Sequence, residues 1–216
     1  RAEGKGGNSE WPALGEANRA GKGFKAAKPT GPLPRHFGPS QSVVSSGDVI
    51  FFPDPGMPCR SFLQGQPCRR HNCNFEHQET GLSRFLSHIA KARSTVDVCC
   101  YTITCNEIAD ALEAAHKRGC KVRIITDDDQ MSSSGSDVVR LAQVGIPVRN
   151  DASPANMHHK FCVLDGKEVL SGSFNYTRQA VLANRENIVI HNTKSVVSAF
   201  HQEFEHLWKE FAKNKC

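Results

Sequence analysis

The fold class this sequence predicts is α/β: a sandwich with a mixed β-sheet flanked by helices. Three observations predict it. Short runs rich in β-branched residues alternate with stretches whose apolar residues fall at helical spacing, the rhythm of βαβ units. Residues 161–164 and 168–171 flank Asp165-Gly166 and read as a hairpin, hence as an antiparallel pair beside the parallel ones. No apolar run approaches the roughly 20 residues that a membrane-spanning helix requires. At 216 residues the chain can hold one α/β domain plus a small appendage.

Residues 1–46 are rich in Gly, Ala, Pro, Lys and Ser and lack apolar periodicity. Such a segment cannot bury enough surface to offset its ordering entropy, so a disordered tail acting as a linker is expected. The folded part, 47–213, opens with a strand at 49–52 stopped by Pro53 and Pro55. A helix follows at 80–93, with Leu82, Phe85, Leu86 and Ile89 on one face. Residues 96–103 read as a buried strand, and 106–118 as a helix capped by Asn106 and ended at Gly119. A strand at 122–126, a short helix at 136–143 ended by Gly145, and a short strand at 146–149 come next. After the hairpin comes a strand at 186–191. The chain closes on a helix at 194–213 that turns Val197, Phe200, Phe204, Leu207, Trp208 and Phe211 inward.

The chemistry concentrates in Met157-His158-His159-Lys160-Phe161-Cys162-Val163-Leu164-Asp165, followed by Gly172-Ser173-Phe174-Asn175. Side chains alternate along a strand, so His158 and Lys160 share a face and His159, expected to be structural, points to the other. A nucleophile or general acid beside a fixed cation suits attack on a phosphodiester, whose negative charge must be held. The spacing His158-x-Lys160-x4-Asp165-x6-Gly172-Ser173-x-Asn175 resembles the HKD signature of the phospholipase D superfamily. The likeness runs from about residue 47 to 211. It is sharpest at the two motifs and at Asn184-Arg185-Glu186-Asn187, and it is greatest for members with one motif per chain. That branch includes bacterial endonuclease-like proteins and the mitochondrial cardiolipin hydrolases, called Zucchini in insects.

The resemblance implies a phospholipase D-like fold and a phosphodiester hydrolase. It implies that His158 forms a phosphohistidine intermediate and that Lys160 and Asn175 hold the non-bridging oxygens. Ser173 adds a phosphate ligand or supporting donor, Glu186 supports the catalytic imidazole, and Asp165 organises the site through hydrogen bonds. One His cannot serve both as nucleophile and as acid on the opposite side of phosphorus. The chain has a single His-x-Lys, so a twofold homodimer that pairs two His158 side chains is expected. No catalytic metal is expected, because Lys and Asn supply the charge stabilisation. Asp127-Asp128-Asp129 reads as a solvated turn or helix cap.

Cys59-x8-Cys68-x4-Cys73-x3-His77 forms a second motif, in a loop rich in Pro, Gly and Gln. Three thiolates and an imidazole fit a closed, structural Zn²⁺ site, with His71 as the competing nitrogen ligand. The spacing resembles a CCCH zinc finger inserted at 59–77, one residue short of the usual interval between the second and third Cys. Phe62, Phe75, Arg60, Arg69 and Arg70 suit single-stranded RNA; a staple for the insertion is the equal alternative.

The net charge of +5 suits a polyanionic partner without selecting one. Cys99, Cys100, Cys105, Cys120 and Cys162 lie in apolar contexts typical of buried free thiols, which favours a reducing compartment. An intracellular location is expected, either the mitochondrial outer surface or the cytoplasm. The chain begins with Arg1 rather than Met, and the resembling branch usually carries an N-terminal anchor. Membrane association would then run through a segment absent from this chain. A metal-independent single-strand endonuclease is the first functional expectation. A hydrolase of cardiolipin or another anionic phospholipid is the alternative, and a non-catalytic RNA-binding protein is the third.

Overall fold

The computed structural model describes residues 48–214 and 216. The expected tail at 1–46 and the start of the catalytic domain at residue 47 lie outside them. In chain order the elements are β1 (Asp48–Phe51), α1 (Arg60–Leu63), α2 (Gly81–Lys91), β2 (Thr95–Cys100), α3 (Asn106–Lys117), β3 (Lys121–Thr126) and α4 (Asp128–Met131). Then come α5 (Val138–Gln143), β4 (Val148–Asn150), β5 (Lys160–Leu164), β6 (Glu168–Gly172), α6 (Arg178–Leu182), β7 (Asn187–His191) and α7 (Lys194–Glu210).

The strands form one seven-stranded sheet in the order β1-β7-β6-β5-β2-β3-β4. β2–β3 and β3–β4 pair in parallel, and the other neighbours pair antiparallel. The expected mixed sheet is therefore present. Alternation of side chains sorts the core into two layers. Ile50, Val96, Val98, Cys162, Leu164 and Leu170 face α2, α3, α5 and α6. Cys99, Ile125, Phe161, Val163 and Val169 face α7 through Val197, Phe204 and Phe211. β2 is buried on both faces from Val96 to Cys100, as a central strand covered by helices on each side must be.

The helix at 194–210 is held by charge as well as by apolar contact. Arg123 on β3 donates to Asp97 on β2 at 2.7 Å and to Glu205 on α7 at 2.6 Å. Its guanidinium also lies 4.8 Å from the Phe204 ring centroid and 5.3 Å from that of Trp208. Phe200, Leu207 and Trp208, expected inside, are only partly buried against this layer.

Several boundaries differ from the sequence expectation. The strand from residue 96 ends at Cys100, because the chain then turns to pair Ile103 with Tyr176. Asn106 is the first helical residue of α3, and Cys105 takes the cap position without a side-chain bond. α5 starts at Val138, β4 is shifted to 148–150, and α7 stops at Glu210. β7 begins at Asn187, which leaves Glu186 outside the ladder. The short helices α1, α4 and α6 have too few turns to show an apolar stripe and were not expected. The hairpin turn is as expected: Asp165 and Gly166 both take positive φ, 53° and 61°, as a tight turn between β5 and β6 requires.

Candidate active site

The C-terminal ends of β2 and β6 and the N-terminal ends of β5 and β7 meet at one edge of the sheet. The register sets this: Cys100 pairs with Lys160, Phe161 with Ser171, and Gly172 with Ile188. His158, Lys160, Ser173, Asn175 and Glu186 all lie at that edge.

Two buried aromatics aim the Gly172-Ser173-Phe174-Asn175 segment. Phe174 stacks on Phe52 at 4.3 Å, and Tyr176 meets Phe85 edge-on at 5.2 Å. With Phe174 and Tyr176 anchored in the core, the intervening Ser173 and Asn175 are left facing outward, exposed and half-buried. The Tyr176 carbonyl accepts from the Thr104 and Cys105 N–H groups, which ties the segment to the end of β2. Gly172 permits the close approach of β6 to β7, because a Cβ there would lie 2.0 Å from the Asn187 carbonyl oxygen.

His158 is exposed and packs its ring edge-on against Tyr101, with centroids 4.8 Å apart. The Lys160 ammonium lies 5.4 Å from the same ring centroid and donates to the His158 carbonyl at 2.8 Å. Strand β5 starts at Lys160, so His158 is in the lead-in segment; it nonetheless shares the Tyr101 side with Lys160. His159 turns away, as alternation requires, against Phe161 and 3.7 Å from Glu203 on α7. Burial pulls the Lys160 ammonium below its ordinary range, while Cys100 and Glu186 act the other way. Tyr101 was missed by sequence reasoning, since nothing but its place at a strand end marks it.

Glu186 accepts a very short hydrogen bond from the Ser173 hydroxyl and another from Asn184 Nδ2 at 3.0 Å. Within one chain it thus holds Ser173 rather than the His158 imidazole. The Ser173 hydroxyl also accepts the Asn187 N–H at 3.1 Å. Asn175 Oδ1 is buried without a partner, so the amide is not tied down from that side.

Asp165 corrects the expected set. It follows the far end of β5, about 17 Å along the strand from Lys160 at the usual rise per residue. Its carboxylate accepts the Arg93, Ser94 and Thr95 N–H groups, at 2.7 to 3.2 Å. These bonds outweigh its partial burial and hold the carboxyl below its ordinary range. Asp165 thus organises the start of β2, not the His158 edge.

Of the expected solvated turn or helix cap, Asp127 takes the cap position of α4, without a side-chain cap bond; it is not solvated, being 1% exposed with its Oδ2 accepting the Met157 N–H at 3.1 Å. Burial raises the neighbouring Asp151 carboxyl, and the charges of Asp127 and Asp128 push the same way.

In the insertion, one donor atom each from Cys59, Cys68, Cys73 and His77 lies within 4.8 Å of the others, while exposed His71 stands outside the group. All nine cysteines are free thiols. The Phe62 N–H pulls the Cys59 thiol down to about 6; burial opposes this, and the Ser61 N–H, Cys68 and Cys73 assist. This donor set fits a tetrahedral thiolate site. The loop closes on itself where Cys59 N–H meets the Glu76 carbonyl and Glu76 N–H meets that of Met57.

Comparison with known proteins agrees with this geometry. The family model described as "Cardiolipin synthase, PLD-like domain" matches residues 85–208. A mitochondrial cardiolipin hydrolase of Chlamydomonas reinhardtii is 44% identical over 164 residues, covering 76% of this chain and 74% of the relative. That of Homo sapiens is 35% identical over 179 residues, covering 78% and 69%. Among solved structures, Nuc from Salmonella typhimurium, a phospholipase D family member, superposes with a TM-score of 0.61 at 27% identity. It covers 76% of this chain and 95% of that one. No helix among the described residues is long and apolar enough to cross a membrane. The matched segment contains the His158 edge and the strands that build it, and the chain belongs to the phospholipase D superfamily as a phosphodiester hydrolase with a cardiolipin synthase-type PLD-like domain.

Proposed function

We propose that this chain hydrolyses the phosphodiester of an anionic phospholipid of the cardiolipin class, acting as a homodimer. The observation that carries the reading is His158, exposed at an open sheet edge with the Lys160 ammonium held 2.8 Å from its carbonyl oxygen. Two further observations support a lipid. The relatives are named cardiolipin hydrolases. Phe51, 73% exposed, pairs in register with Asn187 and so sets an apolar side chain at the rim beside Glu186.

His158 attacks phosphorus, a P–N bond forms, and the P–O bond to the leaving alcohol breaks. The second copy's His158 gives its proton to that oxygen. It then takes a proton from water, which attacks phosphorus and breaks the P–N bond, leaving a phosphomonoester and free His158. Lys160 and Asn175 hold the non-bridging oxygens while charge develops on them. Ser173, fixed by Glu186, adds a donor at the same oxygens. Asp165 has no part in these steps. Residues 47–213 form the catalytic unit. Cys59, Cys68, Cys73 and His77 hold a structural Zn²⁺ that closes the 59–77 insertion. A mitochondrial location fits the relatives' names, and the outer surface is the face we propose.

Single-stranded nucleic acid is the second reading, and one observation favours it. The insertion presents exposed Arg60, Arg69, Arg70 and Phe75, and Arg60 reaches Asp110 on α3, the helix that starts at the catalytic edge. The test compares the zinc-loaded protein on cardiolipin vesicles and on labelled single-stranded RNA, with and without EDTA. Rapid, chelator-insensitive formation of a phosphomonoester lipid in the vesicles is expected. The His158→Asn variant should lose about 10³-fold or more in rate and keep its thermal midpoint. Cleavage of the RNA with inert vesicles would transfer the assignment to the endonuclease; binding without turnover on either would remove the enzyme reading.

A further inference from the structure

We infer that Asp127, Asp128 and Asp151 form a binding site for a hard divalent cation of the Ca²⁺ or Mg²⁺ class, on the shoulder of the active-site edge. The sheet topology brings them together. β3 and β4 are parallel neighbours with Thr126 opposite Asn150, so the next residue of each strand, Asp127 and Asp151, leaves the sheet side by side. Asp128 opens α4 directly after Asp127. One oxygen from each of the three lies within 4.8 Å of the others.

Asp127 shows that this grouping is more than an acidic surface. It is 1% exposed, and while Oδ2 accepts the Met157 N–H, Oδ1 is buried with no hydrogen-bond partner. A buried carboxylate oxygen without a donor is costly unless a cation meets it. Asp97 and Asp137 each also leave one buried oxygen without a hydrogen-bond partner, but both hold a cation at the other oxygen, and Asp127 holds none. Asp97 pairs with Arg123, Asp137 with Arg140, and Asp54 takes the Gly81 and Leu82 N–H groups. Among the described residues no Lys, Arg or His forms an ion pair with Asp127, Asp128 or Asp151. Three oxygen donors select a hard cation, whereas the Cys59–His77 group selects a soft one. Because Asp128 and Asp151 are half-buried, water completes the coordination shell.

The site is one step from the chemistry on two sides. Asp127 holds the N–H of Met157, the residue before His158. Gln130 of α4 donates to the Tyr101 hydroxyl at 3.1 Å, and the Tyr101 ring packs on His158. A bound cation draws both contacts tight around the catalytic imidazole without touching substrate.

The test uses the zinc-loaded full chain in buffer stripped of other divalent ions, titrated separately with CaCl₂ and MgCl₂. Calorimetric binding and the thermal midpoint are the readouts. A single-site isotherm with Kd of about 10⁻⁴ to 10⁻³ M is expected, with a midpoint that rises on saturation. Asp128→Asn and Asp151→Asn should each weaken binding about tenfold or more. Both variants should melt no lower than the parent in cation-free buffer, since each relieves repulsion, and each should need a correspondingly higher ion concentration for the same rise in midpoint. The Cys73→Ser variant should keep the isotherm. Absence of saturable binding of either ion overturns the inference. So does binding that survives unchanged in both Asp variants, or that disappears only with Cys73.

Discussion

Gly172 fills a position that a larger residue cannot share. A Cβ there would lie 2.0 Å from the Asn187 carbonyl oxygen and 2.8 Å from its carbon, and both are backbone atoms held in the β6–β7 ladder. Relief requires separating the strands, so Gly172→Ala should cost about 3 kcal/mol in urea denaturation. It should also lower turnover, because Ser173 hangs from the same junction. Lys160 makes a different prediction, about pH. Burial disfavours its ammonium, so the proton leaves below the ordinary lysine value of 10.5. In the proposed mechanism the charged form holds phosphate, and activity should therefore be retained at lower pH and lost as pH rises through that depressed value. The alkaline limb of kcat/KM is the measurement. In Lys160→Arg, whatever rate survives should lose that limb, since a guanidinium keeps its proton throughout the range.

At the scale of elements, α7 depends on Arg123. The guanidinium joins β2, β3 and α7 through Asp97 and Glu205 and lies against the Phe204 and Trp208 rings. Arg123→Ala would leave Asp97, 1% exposed, without its cation, and should cost about 3–5 kcal/mol in a chemical denaturation series. Replacing Asp97 and Arg123 together by Leu and Met should recover much of that loss, because the cost lies in the unpaired charge. The amphipathic stripe of α7 was legible in the sequence, but this bridge was not. Asp97 and Arg123 are 26 residues apart, and only the parallel pairing of β2 with β3 sets them opposite each other.

For the molecule as a whole, the proposed mechanism makes a single HKD motif half of an in-line displacement site. Under the dimer proposal, a chain paired with a His158→Asn copy lacks either nucleophile or acid. Mixing parent and variant under subunit exchange should then reduce activity as the square of the parent fraction; a decline in simple proportion would show that each chain acts alone. On dilution, specific activity should fall over the concentration range in which sedimentation shows the dimer dissociating.

Short-range chemistry is what the sequence determined unaided. The Asp165-Gly166 turn and the His158–Lys160 and Ser173–Asn175 motifs each lie within a few residues, and the βαβ rhythm and the Cys59–His77 spacing are read from single stretches of chain, where alternation and local propensity decide geometry. Tertiary structure decided what depends on which strands become neighbours. Tyr101 joins the His158 edge because β2 pairs with β5. Asp165 leaves it because a strand's two ends are far apart. Asp151 reaches Asp127 because β3 and β4 end together. Such meetings follow from burying two apolar faces of one sheet at once. That constraint acts on the whole chain and leaves little trace in any single window of sequence.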